Sequence, residues 1–203
     1  LIGFQFIIYR ANQTGKTVIF RSSLLGGDDA ESLANASGLV GLFNRKVLKR
    51  ISFYFSVNEE FSKRWRACFQ RIVPVFQSLQ GVDTERFRPA EKEEEKQNLR
   101  IKLGLKTNVF SLCSMGFLLE KKGYNELFNS LENLNINFIY YIIGDYLPNE
   151  YHHLSNSEQE EMKKLFQLGI EKLGNRVVFL GGLDDPAPYL RAADVFIHGS
   201  FQE

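Results

Sequence analysis

The 203-residue chain has no apolar run approaching the ~20 residues that cross a bilayer. It reads as a soluble or peripheral protein. It also lacks net charge: 25 basic against 24 acidic residues leave +1, which argues against a broad nucleic-acid surface built on phosphate neutralisation. Any anionic ligand must be met locally. Cysteine is scarce, Cys68 and Cys113 being the only two, and Cys113 falls in an apolar stretch that reads as a buried strand. A reduced, cytoplasmic compartment is therefore favoured over a disulfide framework. Zinc is equally unsupported, because His152 and His153 are adjacent in a polar loop with no cysteine at ligand spacing. The opening LIGFQFIIYRA has no initiator methionine and no basic start or small-residue cleavage site, so both ends are expected to be internal to a longer protein. Finally, no Gly-x-Gly-x-x-Gly follows any predicted strand, which disfavours a generic dinucleotide-binding dehydrogenase.

What is present is a change of hydrophobic period along the chain. Thr17 to Ser22 is a β-branched and apolar run between the turns at Gly15 and Gly26-Gly27-Asp28-Asp29, the pattern of a strand. Leu33, Ala36, Leu39, Val40, Phe43, Val47 and Ile51 then recur every three or four residues and predict an amphipathic helical region from Ala30 to Arg50. Ile51, Phe53, Phe55 and Val57 alternate with polar neighbours as a second strand. Glu59 to Gln70 returns to the helical period through Phe61, Trp65 and Phe69, with Asn58 placed as its cap. IVPVF from Ile72 reads as a short buried strand. Gly81, Pro89 and the charge run Glu91 to Lys96 punctuate the chain, which places a domain boundary near residue 88. Beyond it strands and helices alternate: Val109–Met115, Tyr124–Leu134, Phe138–Ile143, Ser157–Leu173, Val177–Leu180, Pro186–Ala193 and Val195–His198. Alternation of this kind implies right-handed crossovers and a parallel sheet, with ligands at the carboxyl ends of the strands.

Four loops follow those strand ends. Gly116-Phe117-Leu118-Leu119-Glu120-Lys121-Lys122-Gly123 leaves a strand and enters a helix, where free N–H groups and the side chain of Lys122 suit a phosphate; a solvated lysine before a helix is the plain alternative. Gly144-Asp145-Tyr146 either brings bare backbone close to a ligand or is a turn with an aspartate cap. Gly182-Leu183-Asp184-Asp185-Pro186 is accounted for by helix initiation. Gly199 to Glu203 ends on a carboxylate that could accept sugar hydroxyls.

Taken in order, GVDTERFRP, SMGFLLEKKG, YYIIGD and NRVVFLGGLDDPAPYLRAADVFIHGSFQE resemble the retaining glycosyltransferases of the two-Rossmann-domain (GT-B) type, the group of the sucrose, mannosyl and glycogen synthases. The resemblance covers roughly residues 50–203 and is strongest from Asn175 onward. It implies an α/β fold of two Rossmann-like domains, both incomplete: residues 1–88 as the later part of an acceptor domain and 89–203 as the donor domain. It further implies sugar transfer, with retention, from a nucleoside-diphosphate sugar to a glycan or lipid-linked acceptor, with no metal or other cofactor. Lys122 takes the place of the lysine on the donor diphosphate, Gly116 and Gly144 line the same crevice, Leu183 to Asp185 meets the base, and Glu203 takes the glutamate near the sugar. Lys122 and Glu203 are thus the residues expected at the chemistry. Phe117 departs from the family's arginine, removing a contact worth ~1.5–3 kcal/mol. That departure keeps open a second reading, a non-catalytic nucleotide-sugar-binding homologue or partner subunit. Tyr146 stands where a second glycine is usual, and Gly199 where relatives carry proline. The chain alone is expected to be inactive. The helix from Glu59 carries Lys63, Arg64, Arg66 and Arg71 beside Trp65 and Phe69, a composition that suits either a solvated helix or a peripheral membrane contact, and similar transferases often dock through their N-terminal domain.

Overall fold

The computed structural model describes residues 2–23, 26–69, 73–78, 80–148 and 154–201. The chain forms two compact units, one ending at Gly81 and the other beginning at Val82. The division lies upstream of residue 88 because the intervening segment is fastened to the second unit. Arg191 donates to the Arg86 carbonyl at 2.8 Å, and Arg88 pairs with Glu95 at 2.8 Å.

In the first unit, α1 (Ile2–Gln13), α2 (Ala30–Ala34), α3 (Gly38–Leu48) and α4 (Glu59–Phe69) accompany a parallel sheet of β1 (Ile19–Arg21), β2 (Phe53–Ser56) and β3 (Val75–Gln77), in that order. α4 begins as its sequence suggests, the Asn58 carboxamide accepting from the Phe61 amide at 3.1 Å and Glu59 and Glu60 occupying the first turn. Its apolar stripe is core: Phe61, Trp65 and Phe69 are buried, and the Trp65 ring stacks on Tyr54 at 4.0 Å between centroids. The extension to Arg71 and the first residue of IVPVF, Ile72, lie outside the described residues.

Two expectations for this unit are corrected, while the strand expected from Ile51 is present as β2. β3 is an edge rather than a buried strand, with Phe76 exposed, since only β2 flanks it in the described sheet. On β2 the buried positions are Tyr54 and Ser56, while Phe53 and Phe55 are half-buried against Phe76; the face turned to the helices therefore holds Tyr54 against Trp65. The helical region from Ala30 breaks into α2 and α3, and α3 buries only Val47 of its periodic apolar set. Gly41, Asn44, Val47 and Leu48 point inward, where the Asn44 carboxamide bonds the Leu33 carbonyl and Gln5, whereas Leu39, Val40 and Phe43 are exposed.

The second unit contains α5 (Glu93–Leu103), β4 (Phe110–Met115), α6 (Tyr124–Glu132), β5 (Phe138–Ile143), α7 (Asn156–Leu173), β6 (Val177–Gly181), α8 (Ala187–Ala192) and β7 (Val195–Phe196). All four strands are parallel, in the order β6-β5-β4-β7. β5 is buried along its whole length, as its unbroken FIYYII requires of a central strand. Its side chains meet Leu118, Phe128, Met162 and Leu165 in one core. α7 opens on a capping box in which the Ser155 hydroxyl and the Glu158 carboxylate satisfy each other's backbone amides.

Two elements are hidden in the sequence. α1 carries no periodic stripe strong enough to announce it, and α5 occupies the expected charge run. Three glutamates in the first turn of α5, Arg100 and Lys102 in the last, and a left-handed Gly104 beyond suit a helix in charge and cap, although Arg100 is its only buried residue. That guanidinium donates to the Ala192 and Val109 carbonyls and to Asp194 at 2.8 Å; Asp194 also accepts from Lys96 at 2.9 Å and from the Ser111 amide. A buried ion pair thereby pins α5 to the sheet.

Candidate functional site

In the second unit the chain passes from β4 to β5 to β6 on one side, then returns to place β7 on the other side of β4. The carboxyl ends of β4 and β7 are thus the topological switch point, where open parallel sheets leave a crevice for a ligand. Four loops meet around it. Gly116 follows β4 with φ 145°, and its amide donates to the Ile143 carbonyl at 2.8 Å. Gly144 follows β5 with φ 130°; a Cβ there would lie 2.2 Å from the Gly116 carbonyl oxygen. Only glycine allows the two loops to approach so closely, so the bare backbone of Gly144 is spent on Gly116, and its amide on the Gly181 carbonyl at 2.8 Å. The Asp145 carboxylate accepts from the Gly182 amide at 3.1 Å, joining the loop after β6 to this cluster. Its role is therefore to hold the loop, alongside the turn its sequence suggests.

Lys122 lies near the end of the Gly116 loop. Its Cε and the Tyr124 hydroxyl are each 3.9 Å from where a Gly116 Cβ would be, and that hydroxyl donates to the Gly116 carbonyl at 3.2 Å. Gly123 then enters α6 in a left-handed conformation, φ 71°, packed so closely on Gly199 that a Cβ would meet the Gly199 carbonyl oxygen at 1.9 Å. The Ser200 hydroxyl and Phe201 amide both donate to the Lys121 carbonyl, at 3.1 and 3.0 Å. Among the described residues no side chain caps α6, so its N-terminal amides keep their partial positive charge beside Lys122.

Gly116, Lys122, Gly144 and Gly199 are thus brought together. Phe117 is 43% exposed in the middle of the Gly116 loop. Leu183 is half-buried next to Gly182, but Asp185 turns elsewhere: it accepts from Arg86 at 2.8 Å and caps the Ala187 amide at 3.2 Å. The hydrogen bond from Arg86 holds its carboxyl below the usual aspartate range. Glu203, like His152 and His153, lies outside the described residues. Tyr146 stacks on Phe166 and Phe179, with centroids 5.2 Å from each, so its departure from glycine places an aromatic in the core. Asp194, in the Ala-Ala-Asp of the resemblance, carries a structural role. Its burial raises the carboxyl pKa, but bonds from Lys96, the Ser111 amide and Arg100 more than offset this and leave it lowered, a structural anchor directly beneath β7.

Two concavities of this unit, about 450 and 500 Å³, lie along α5 and along α7, away from the strand ends. The strand ends, where glycines and Lys122 converge, are the better candidate. Among the described residues no three His, Cys, Asp or Glu side chains are arranged to hold a metal ion, and no helix is long and apolar enough to cross a membrane. Both cysteines are free thiols, and burial pushes that of Cys113 up to about 12.

Solved structures of similar fold align with nearly all of the chain. HepE from Anabaena, in complex with UDP, shares 20% identity at a TM-score of 0.69 over 97% of this chain and 50% of its own. Sucrose-phosphate synthase from Thermosynechococcus elongatus shares 18% at 0.73, over 98% and 48%. WaaG, a glycosyltransferase involved in lipopolysaccharide biosynthesis, shares 17% at 0.63, over 98% and 58%. The chain therefore spans about half the length of these structures and has their two-Rossmann-domain α/β fold in incomplete form. No curated protein matches it significantly. The family model for glycosyl transferases group 1 matches residues 95–203, more than half of the chain and nearly all of the unit that holds the switch-point loops, and to that family the chain belongs.

Proposed function

We propose that the chain is part of an enzyme that transfers a sugar from a nucleoside-diphosphate sugar to a glycan or lipid-linked acceptor, with retention, and that its second unit holds the donor. The observation that carries this is the convergence of Gly116, Lys122 and the N-terminus of α6 at the switch point of a unit matched by the family. In that crevice the ammonium of Lys122 and the α6 amides would stabilise the charge that develops on the departing diphosphate as the glycosidic bond breaks. Fixed cations of this kind would make a metal unnecessary. Glu203 would orient the sugar, and the Leu183 backbone would meet the base. Solved structures of similar fold include complexes with UDP and UDP-glucose, which makes UDP the natural probe. A cytoplasmic location with a peripheral membrane contact belongs to the same proposal.

Calorimetric titration of the full-length protein with UDP tests it. Lys122→Ala should weaken binding about tenfold or more, the loss of one charge-assisted contact. Unchanged affinity would remove Lys122 from the site. Phe117 favours a second reading, a homologue that binds the nucleotide without turning it over; tight binding of UDP-sugar with no transfer to any acceptor would support it.

A further inference from the structure

The loop between β6 and α8 is held at both of its ends and open in between. At its start the Gly182 amide donates to the Asp145 carboxylate at 3.1 Å. At its close the Asp185 carboxylate accepts from Arg86, Nε at 3.2 Å and Nη2 at 2.8 Å, and from the Ala187 amide at 3.2 Å, all on the oxygen Oδ1. Leu183 lies between these two pins. It is half-buried, and among the described residues its amide and carbonyl make no hydrogen bond. Half-buried backbone groups without protein partners are ones that the polar edge of a planar ligand could bond.

Arg86 is itself fixed before it reaches Asp185. Its amide donates to the Asp83 carboxylate at 3.0 Å, as the Glu85 amide does at 3.1 Å, and its carbonyl accepts from Arg191 Nη2 at 2.8 Å. Arg191, in the last turn of α8, also reaches the Arg88 carbonyl at 3.4 Å and Glu95 at 3.6 Å. Segment 83–88 is therefore bound to α8 twice. The Arg86 side chain holds the residue before the helix, and a side chain from the end of the helix holds the Arg86 backbone. All of these residues belong to the second unit, so the arrangement does not depend on the first.

The Arg86 and Asp185 side chains are 47% and 53% exposed, and an ion pair so open to water contributes little to overall stability. α8 also has a start of its own in Pro186 and in the bond from the Ala187 amide to Asp185. What the pair fixes is the direction of the Asp185 side chain, and with it the close of the loop that carries Leu183. We propose that Arg86 is a positioning residue of the donor site. By drawing Asp185 to segment 83–88 it sets the loop so that the Leu183 amide and carbonyl face the nucleotide base, and Asp185 acts through this clasp rather than by touching the donor. The two residues stand 99 positions apart in the chain, so only the folded unit joins them. This inference rests on the reading of the second unit as the donor unit.

A double-mutant cycle on the full-length protein, read by calorimetric titration with UDP, tests it. Arg86→Ala and Asp185→Asn should each weaken binding about threefold, the scale of one exposed ion pair, and the double variant should weaken it no further, since both remove the same clasp. Asparagine keeps an oxygen for the Ala187 amide, and the melting temperatures should stay close to that of the wild type. Arg86→Lys, which can still reach Asp185, should recover most of the affinity. Losses that multiply in the double variant would mean that Asp185 touches the nucleotide itself and would overturn the proposal, as would unchanged affinity in both single variants. Hydrogen exchange of the ligand-free protein gives a second measurement. The Ala187 amide should exchange faster in Arg86→Ala, while the Gly182 amide, held by Asp145, keeps its rate. Equal exchange at Ala187 in wild type and variant would overturn the clasp whether or not UDP binds. Faster exchange there in a protein that binds no UDP would support the clasp and count against the transferase reading alone.

Discussion

At the scale of single residues, the loop after β4 turns on position 117. Arginine is what the resemblance leads one to expect there, and the phenylalanine that replaces it projects 43% exposed from a backbone otherwise held by Ile143, Asp145 and Tyr124. A residue so exposed tolerates substitution at small cost in stability. Phe117→Arg should therefore leave the melting temperature nearly unchanged and strengthen UDP binding by roughly tenfold, because a guanidinium supplies a bidentate donor for phosphate oxygens. Calorimetric titration beside a thermal melt measures both. A loss of several kcal/mol with no gain in affinity would show that Phe117 packs as core and that this loop holds the diphosphate in another way. Gly116 and Lys122 could be singled out from sequence by their places after a strand and before a helix. That Gly144 serves Gly116 could not, because the 2.2 Å approach exists only once β4 and β5 lie side by side.

At the scale of elements, the informative cases are helices whose sequence and burial disagree. α4 shows the ordinary relation: its periodic aromatics are its buried residues. α3 inverts that relation, and α5 buries an arginine. Local pattern records which side chains are apolar, but the partner that covers them is set by the rest of the molecule. The Arg100–Asp194 pair makes the point energetically. The Arg100 side chain is 2% exposed, and removing its carboxylate would leave a charge buried without its counter-ion. Asp194→Asn should thus destabilise the second unit by about 3–5 kcal/mol in chemical denaturation, whereas Glu93→Gln on the solvent side of α5 should leave stability nearly unchanged. The folded-state pKa of Asp194 lies below its ordinary value of 3.8, so its contribution is complete above that value and is lost as pH falls through the lowered one. Acid unfolding of the wild type should steepen in that window, and the steepening should be missing from Asp194→Asn. Equal stability of the two proteins would show that the pair contributes nothing net.

At the scale of the molecule, the two units have separate cores and the single tryptophan, Trp65, belongs to the first. Tryptophan fluorescence therefore follows the unit without the switch-point loops, while far-UV circular dichroism follows both. A nucleotide held by the second unit stabilises only what binds it, by about 2.7 kcal/mol at a hundredfold excess over Kd. UDP should then shift the circular-dichroism midpoint more than the fluorescence midpoint. Identical shifts would mean either that the units unfold as one or that the nucleotide binds elsewhere. What the sequence by itself determined is the parallel α/β architecture of the second unit, because an unbroken FIYYII, regular 3.6-residue stripes and a Ser155–Glu158 cap each act through neighbours a few residues away. Only the tertiary structure decided that β7 returns to the far side of β4 to create the crevice, that Asp194 and Arg100 meet across 94 residues of chain, and that α3 turns its leucines outward. Each of these depends on which elements become neighbours, and neighbourhood across long loops is fixed by how the whole core packs, which no local period encodes.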